Sequence, residues 1–282
     1  MIMKKIAIVT DSTSDLSIEQ MEEYKIEMLP LRVIYREKEY RDRLDITPQQ
    51  IYDNLDKEVP KSSLPLPGDV IRLLDRLKEE GYTDVVISLI SSGLSGTYNM
   101  VRQVAESYSG LNIEVVDSKS LSFGLGFLSI EAAKERARSN DLEKIMEKIR
   151  KTKESQYLTF VVKTLEYLKL GGRIGLVEGT MGEMLGIKPI IGINDNGVYY
   201  TISKVRGRKR SVNKMFELMK AKYAGKSFNL AVISADADEE ALKLMDKIKG
   251  IGKVEESFFA QLGPVMGVYT GPGLIGIVAY EV

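Results

Sequence analysis

Histidine and cysteine are both missing from the 282 residues. A Ser/His/Asp or Cys/His nucleophilic site therefore cannot be built, no thiolate can attack, and the usual zinc ligand sets are unavailable. Disulfides are excluded too. Net charge is also lacking: 40 basic side chains cancel 40 acidic ones, so the molecule as a whole offers no general attraction for nucleic acid or for an anionic membrane. Long apolar runs are missing as well. No segment approaches the roughly 20 residues of a membrane span, and the run from Ile6 to Thr10 is too short for the core of a signal peptide. These absences predict a cytoplasmic protein with no nucleic-acid partner, no metal and no membrane span, transient membrane contact being compatible with them.

What is present is apolar content of 44% over a chain long enough for a large core, at a length that predicts two domains. The first half alternates short apolar runs with helical patterns. "KIAIVT" reads as a strand, "DSTSD" as a loop, "LSIEQMEEY" as a helix, "IEMLPLRVIY" as one extended segment and "PKSSLPLPG" as a loop. Thr47 and Pro48 mark a helix start. Val70, Leu73, Leu74 and Leu77 recur at helical spacing before Gly81. Strands "DVVISLI" and "NIEVV" follow with a helix between them, then two more helices to about Lys153, which predicts a parallel sheet covered on both faces. In the second half, "KPIIGIN" and "VYYTISKV" flank the turn signal "NDNG", so that sheet is predicted to be partly antiparallel. A helix near Ser211 to Tyr223, strand "NLAVISA", a helix from about Asp238 to Lys249 and strand "KVEESFFA" complete it. The fold class is α/β, with a parallel N-terminal sheet in domain 1–155 and a mixed sheet in domain 156–282.

Ligands of an open parallel sheet settle at the carboxyl ends of its strands. The loops predicted there share one chemistry, hydroxyls: 11–15, 61–63, 91–97 and 117–122. Serine is common at turns and N-caps, which accounts for any one of these loops. "GLSGT" resembles the elbow that presents a nucleophilic serine, but it has Thr97 where that motif has glycine, and no histidine exists to take the proton. Ser95 or its neighbour is instead expected to cap the following helix, with the amides of Gly96 and Thr97 unpaired and suited to a carboxylate or phosphate. "GPGLIG" matches a dinucleotide fingerprint in letters but precedes no helix, so it reads as a turn into a final strand. The basic run 203–214 reads as a solvated helix start or a docking surface, "GGRIG" as a loop presenting Arg173, and "DADEE" as a helix start.

In order along nearly the whole chain, "VTDSTSDL", "ISSGLSGTYN", "VVDSKSLSFGLG", "LKLGGRIG", "LGIKPII", "KVRG" and "YTGPGLIGI" resemble the DegV family. The resemblance implies two α/β domains with a long-chain fatty acid such as palmitate, stearate or oleate in a tunnel at their junction, and no other cofactor. It implies a binding subunit without catalytic residues of its own, presenting the carboxyl group to a separate ATP-dependent kinase subunit that makes the acyl phosphate. By resemblance the carboxyl group is held by Ser62 and Ser95, supported by Gly96 and Thr97, while Arg173 and Arg206 face the kinase. The family more often has threonine where Ser62 stands, and a histidine where this chain has Tyr269. A tyrosine donates a hydrogen bond but is neutral at pH 7. The alternative is a hydroxyl-lined enzyme for a small carboxylated or phosphorylated metabolite, with Asp11, Asp15 or Asp117 as base and Lys61 or Lys119 as electrostatic partner.

Overall fold

The computed structural model describes residues 4–180 and 186–282. In chain order the first elements are β1 (Ile6–Asp11), α1 (Ile18–Tyr24), β2 (Ile26–Leu29), β3 (Arg32–Ile34), β4 (Glu39–Arg41), α2 (Pro48–Tyr52) and β5 (Lys61–Ser63). Next come α3 (Pro67–Glu79), β6 (Asp84–Leu89), α4 (Thr97–Ser107), β7 (Asn112–Asp117), α5 (Phe123–Ser139) and α6 (Leu142–Ser155). The remainder is β8 (Tyr157–Val161), α7 (Glu166–Leu170), β9 (Ile187–Ile193), β10 (Tyr199–Arg206), α8 (Arg208–Tyr223) and β11 (Ser227–Ala235). The chain closes with α9 (Asp238–Lys249), β12 (Lys253–Gln261), α10 (Pro264–Thr270) and β13 (Leu274–Glu281).

Strands β2-β1-β6-β7 form an all-parallel sheet. Strands β10-β9-β8-β13-β11-β12 form a mixed sheet, antiparallel except for the β11/β12 pair. The two sheets share a core. Ile6, Ile8 and Val86 of the first and Phe160, Ile191, Ile233 and Val278 of the second pack around one apolar cluster with α5 between them. A helix between two sheets has no solvent face, and "FGLGFLSIEAA" is apolar nearly all round. Phe123–Ala133 is buried without a break. The outer face of the parallel sheet is covered by α3 and α4, through Val70, Leu73, Leu74, Leu77 and Val101. The outer face of the mixed sheet packs against α8 and α9, through Met215, Met219, Leu244 and Ile248.

Two local expectations are corrected and one helix is added. "IEMLPLRVIY" is two strands in different sheets, because Pro30, which has no amide hydrogen for a ladder, ends β2 and lets the chain turn away. Lys61–Ser63 is not a loop: it pairs antiparallel with β3, in a third sheet ordered β4-β3-β5. The stretch before "GPG" contains a helix, α10, which begins at Pro264 and packs through Val265 and Val268 on α2 and the third sheet. Its short apolar sequence carries no period long enough to separate helix from strand.

Candidate functional site

The third sheet and α10 bring two distant residues together. β5 pairs Ser62 opposite Val33, and Ser62 Oγ lies 2.5 Å from the Tyr269 hydroxyl near the end of α10. Tyr269 is held on its other side by the "GGRIG" loop. A Cβ on Gly171 would stand 2.3 Å from the Tyr269 ring, so only glycine lets that ring lie against the loop. The same loop places the Arg173 guanidinium 5.1 Å from the Tyr269 ring centroid, with Nε donating to the Leu94 carbonyl at 3.3 Å and Nη1 to the Gly171 carbonyl at 2.8 Å.

Ser95 faces the same space. Its hydroxyl is 2.8 Å from Thr97 Oγ1 and accepts a bond from the Thr97 amide at 3.3 Å. The helix cap is Gly96. The expectation of an unpaired Thr97 amide is therefore corrected: Ser95 already takes it, and Thr97 is buried. The Gly96 backbone is exposed and lies against Leu64.

Most of the remaining hydroxyls of the four loops are committed elsewhere, while Ser120 Oγ is buried without a hydrogen-bond partner among the described residues. Ser12 accepts from the Leu31 amide, Thr13 bonds Asp11, Ser118 donates to the Ser120 carbonyl, Ser122 donates to Asp15, and Lys119 donates to Ser92. Ser91 donates to the Gly197 carbonyl at 2.8 Å, tying the tip of the β9–β10 hairpin to the motif after β6. Turn and capping chemistry accounts for most of the pattern. Gly93 also serves the hairpin: a Cβ there would stand 2.6 Å from the Gly197 oxygen and 2.8 Å from the Asn196 oxygen. Gly93→Ala is expected to lower stability by about 1 to 3 kcal/mol through overpacking. Urea denaturation measures this, and an unchanged midpoint would mean the hairpin tip moves aside without cost.

Two cavities of about 30 Å³ each meet at this point. The first is lined by Ser62, Ser95, Arg173 and Tyr269 together with Leu31, Ile90, Leu94 and Val265. The second lies in the core shared by the two sheets, among Leu121, Leu158, Phe160, Ile233, Leu274 and Val278. Tyr199 and Met266 line both, so they stand between a polar end and an apolar interior. Each cavity is about the volume of one liquid water, whereas ligand pockets run roughly 300 to 1,000 Å³. Admitting a larger molecule requires these walls to part. Tyr199 is 3% exposed and packs edge-on against Phe160. Burial, with the Tyr269 phenol nearby, pushes its hydroxyl above the ordinary tyrosine range. Sequence reasoning missed Tyr199 and Met266, since each reads locally as one more apolar residue of a core element.

The carboxylates considered as bases line neither cavity. Asp11 accepts from the Ile90 amide at 2.7 Å and the Thr13 amide at 2.9 Å. Asp15 accepts from the Gly263 amide at 2.8 Å, from Arg43 at 3.2 Å and from Ser122. A third buried carboxylate, Asp42, accepts from the Val265 amide at 3.0 Å. Asp15 and Asp42 thus anchor the start of α10, the helix carrying Met266 and Tyr269. Burial raises Asp11 and Asp15 to about 6 and Asp42 to about 7. Asp117 accepts from the Ser92 and Lys119 amides at 3.1 Å and pairs with the Lys119 ammonium at 2.8 Å. Burial pushes Asp117 up, but hydrogen bonds from Lys119 and Ser92 outweigh it and hold the carboxyl below its usual range. Lys61 is exposed on β5. Arg206 is exposed at the end of β10, outside both cavities. Among the described residues no group of three or more His, Cys, Asp or Glu could hold a metal ion, and no helix is long and apolar enough to cross a membrane.

Fold and site together describe an α/β protein with an amphipathic space beside α10, with hydroxyls, a phenol and a guanidinium at one end and apolar walls drawn largely from the mixed sheet at the other. A family model described as "Uncharacterised protein, DegV family" matches residues 5–282, and the chain belongs to the DegV family. A DegV domain-containing protein of Clostridium acetobutylicum is 43% identical over 279 residues, covering 99% of this chain and 100% of the relative. Among solved structures, a fatty-acid-binding DegV family protein from Thermus thermophilus aligns with a TM-score of 0.92 at 29% identity, over 99% of this chain and 100% of that one. A stearic-acid-binding protein from Eubacterium ventriosum aligns with a TM-score of 0.86 at 30% identity, over 99% of this chain and 98% of that one.

Proposed function

We propose that this protein carries a long-chain fatty acid, with its carboxylate among Ser62, Ser95, Arg173 and Tyr269 and its acyl chain passing Tyr199 and Met266 into the core shared by the two sheets. The observation that carries this reading is the meeting of the polar and apolar cavities at those two side chains. An acyl chain gains roughly 0.8 kcal/mol per methylene on leaving water, so a chain of about 16 carbons gains on the order of 10 kcal/mol if fully buried. The carboxylate must then keep hydrogen-bond donors or take up a proton. Two serines, a phenol and a guanidinium supply those donors.

In this reading residues 1–155 and 156–282 are two α/β units with the acyl chain at their junction, and the protein presents its cargo to a separate ATP-dependent kinase subunit. Gly93, Gly96 and Arg173 are exposed around the polar end, so a second protein would reach the carboxyl group before the tail. Arg206 offers a further cation for docking.

Organic extraction of the natively purified protein followed by mass spectrometry tests the reading, with near-stoichiometric long-chain fatty acid as the expected result. Absence of lipid, together with no binding of added palmitate or oleate, would overturn it. Ser95→Ala is expected to weaken fatty acid binding by about 1 to 3 kcal/mol, the cost of leaving a buried polar group unpaired. Titration calorimetry measures that loss, and unchanged affinity would remove Ser95 from the head-group site.

A further inference from the structure

Gly276 sits inside β13, where nothing local asks for glycine. Its φ is not positive. A Cβ built on it would meet Ile233 Cβ at 3.5 Å, Ile233 Cδ1 at 3.6 Å and Phe160 Cβ at 3.7 Å, all ordinary contacts. The other glycine within a described strand, Gly192, has an evident reason, since a Cβ there would stand 2.6 Å from Ile202 Cδ1. A strand-interior glycine without such a cause weakens the strand and marks a place where something else needs the room.

The surroundings say where that room is. Across the mixed sheet, Gly276 is flanked in register by Phe160 on β8 and Ile233 on β11. Ile191 and Ala260 extend the row on either side. All four neighbours are buried apolar residues of the core shared by the two sheets, and along β13 the alternate residues Leu274, Val278 and Tyr280 face the same way. The row thus lacks a side chain at its middle position, and the apolar cavity lies there, with Phe160, Gly276 and Ile233 in its wall.

Resting on the fatty-acid reading, we propose that Gly276 determines acyl-chain length: its missing side chain is the room through which the distal methylenes of a long-chain fatty acid run. A side chain there closes the far part of the path and leaves the head-group end untouched, so it selects against long chains and spares short ones. Position 276 is then a specificity determinant that touches the tail and makes no contact with the carboxyl group.

The test compares wild type, Gly276→Ala and Gly276→Leu as full-length proteins, with fatty acids from 10 to 18 carbons, by competition binding and thermal melting. In wild type, affinity is expected to rise with length by up to about fourfold per buried methylene. In Gly276→Leu the rise should stop at a shorter chain, so that palmitate and stearate bind at least about tenfold more weakly than to wild type, a loss of two methylene contacts, while the shortest chains bind equally. Gly276→Ala, whose methyl meets only ordinary contacts, should melt no lower than wild type and show a smaller shift in the same direction. It decides the matter if the leucine variant does not fold. The same length profile in a folded Gly276→Leu, or in Gly276→Ala where leucine fails, would overturn the assignment. Failure of the wild type to bind any chain would instead overturn the fatty-acid reading itself.

Discussion

In chemical denaturation the protein is expected to be more stable at pH 5 than at pH 8, by on the order of 5 kcal/mol. Asp11 and Asp15 are raised to about 6 and Asp42 to about 7, in each case chiefly because burial penalises the charged form. An aspartate in the unfolded chain titrates near pH 4. Between those values the folded protein holds protons that the unfolded chain has released, so acid favours the fold. This contribution is fully present below about pH 4 and is lost as pH rises through 6 to 7. With no histidine in the chain, no other side chain with an ordinary pKa titrates in that window. The slope therefore reports the buried aspartates. Asp45 and Glu147, each held down to about 2 by hydrogen bonds from Arg41 and Arg150 respectively, release their protons far to the acid side. Midpoints in urea from pH 5 to 8 measure the effect. A flat profile, or one rising with pH, would mean that the three carboxylates bury their charge at no cost.

Arg173→Met is expected to lower affinity for ionised palmitate by about 10- to 100-fold, the range for a hydrogen bond to a charged group, and to raise the pKa of the bound carboxyl group. Among the described residues Arg173 is the single charged side chain lining the polar cavity. Ser62, Ser95 and Tyr269 donate hydrogen bonds but bring no positive charge. A neighbouring cation favours the ionised carboxylate, so its removal must move the carboxyl pKa upward. The chemical shift of carboxyl-labelled palmitate, followed against pH in bound form, reads this directly. Arg173→Lys should keep part of the effect, because it retains the charge and loses the planar fork. Arg173 is exposed, with its guanidinium over the Tyr269 ring, so thermal stability should change little. Unchanged affinity and an unchanged titration would place the guanidinium outside carboxylate recognition. The family resemblance put Arg173 on a docking surface; its contacts with Leu94 and Tyr269 put it at the polar cavity as well.

Much of the fold was legible because local patterns were strong. The buried stripe of α3, the Thr47–Pro48 helix start, the β9–β10 hairpin around "NDNG" and the parallel β1–β6–β7 set all follow from periodicity, caps and turn residues. The third sheet was not, because β3, β4 and β5 have three residues each and take their register from one another. Its absence from the reading hid why Ser62 points at Tyr269. Of the hydroxyl-rich loops, spacing alone could not separate Ser62 and Ser95, which line the cavity, from Ser91 and Ser122, which bond Gly197 and Asp15. Whether a hydroxyl is free depends on partners 106 and 107 residues away in those two cases.

The sequence by itself determined the class of structure, the family resemblance and the chemistry that is ruled out: without histidine or cysteine, no triad and no thiolate. Those conclusions rest on residue types and on contacts within a few positions of one another. Tertiary structure alone decided that Asp15 and Asp42 anchor α10, that Arg173 reaches the polar cavity, that Tyr199 and Met266 divide it from the apolar one, and that Gly276 leaves a gap in a row of packed side chains. Each of those facts depends on strands and helices far apart in the chain meeting in three dimensions, and the free energy of a buried charge, a shared wall or an unfilled space is set by those neighbours.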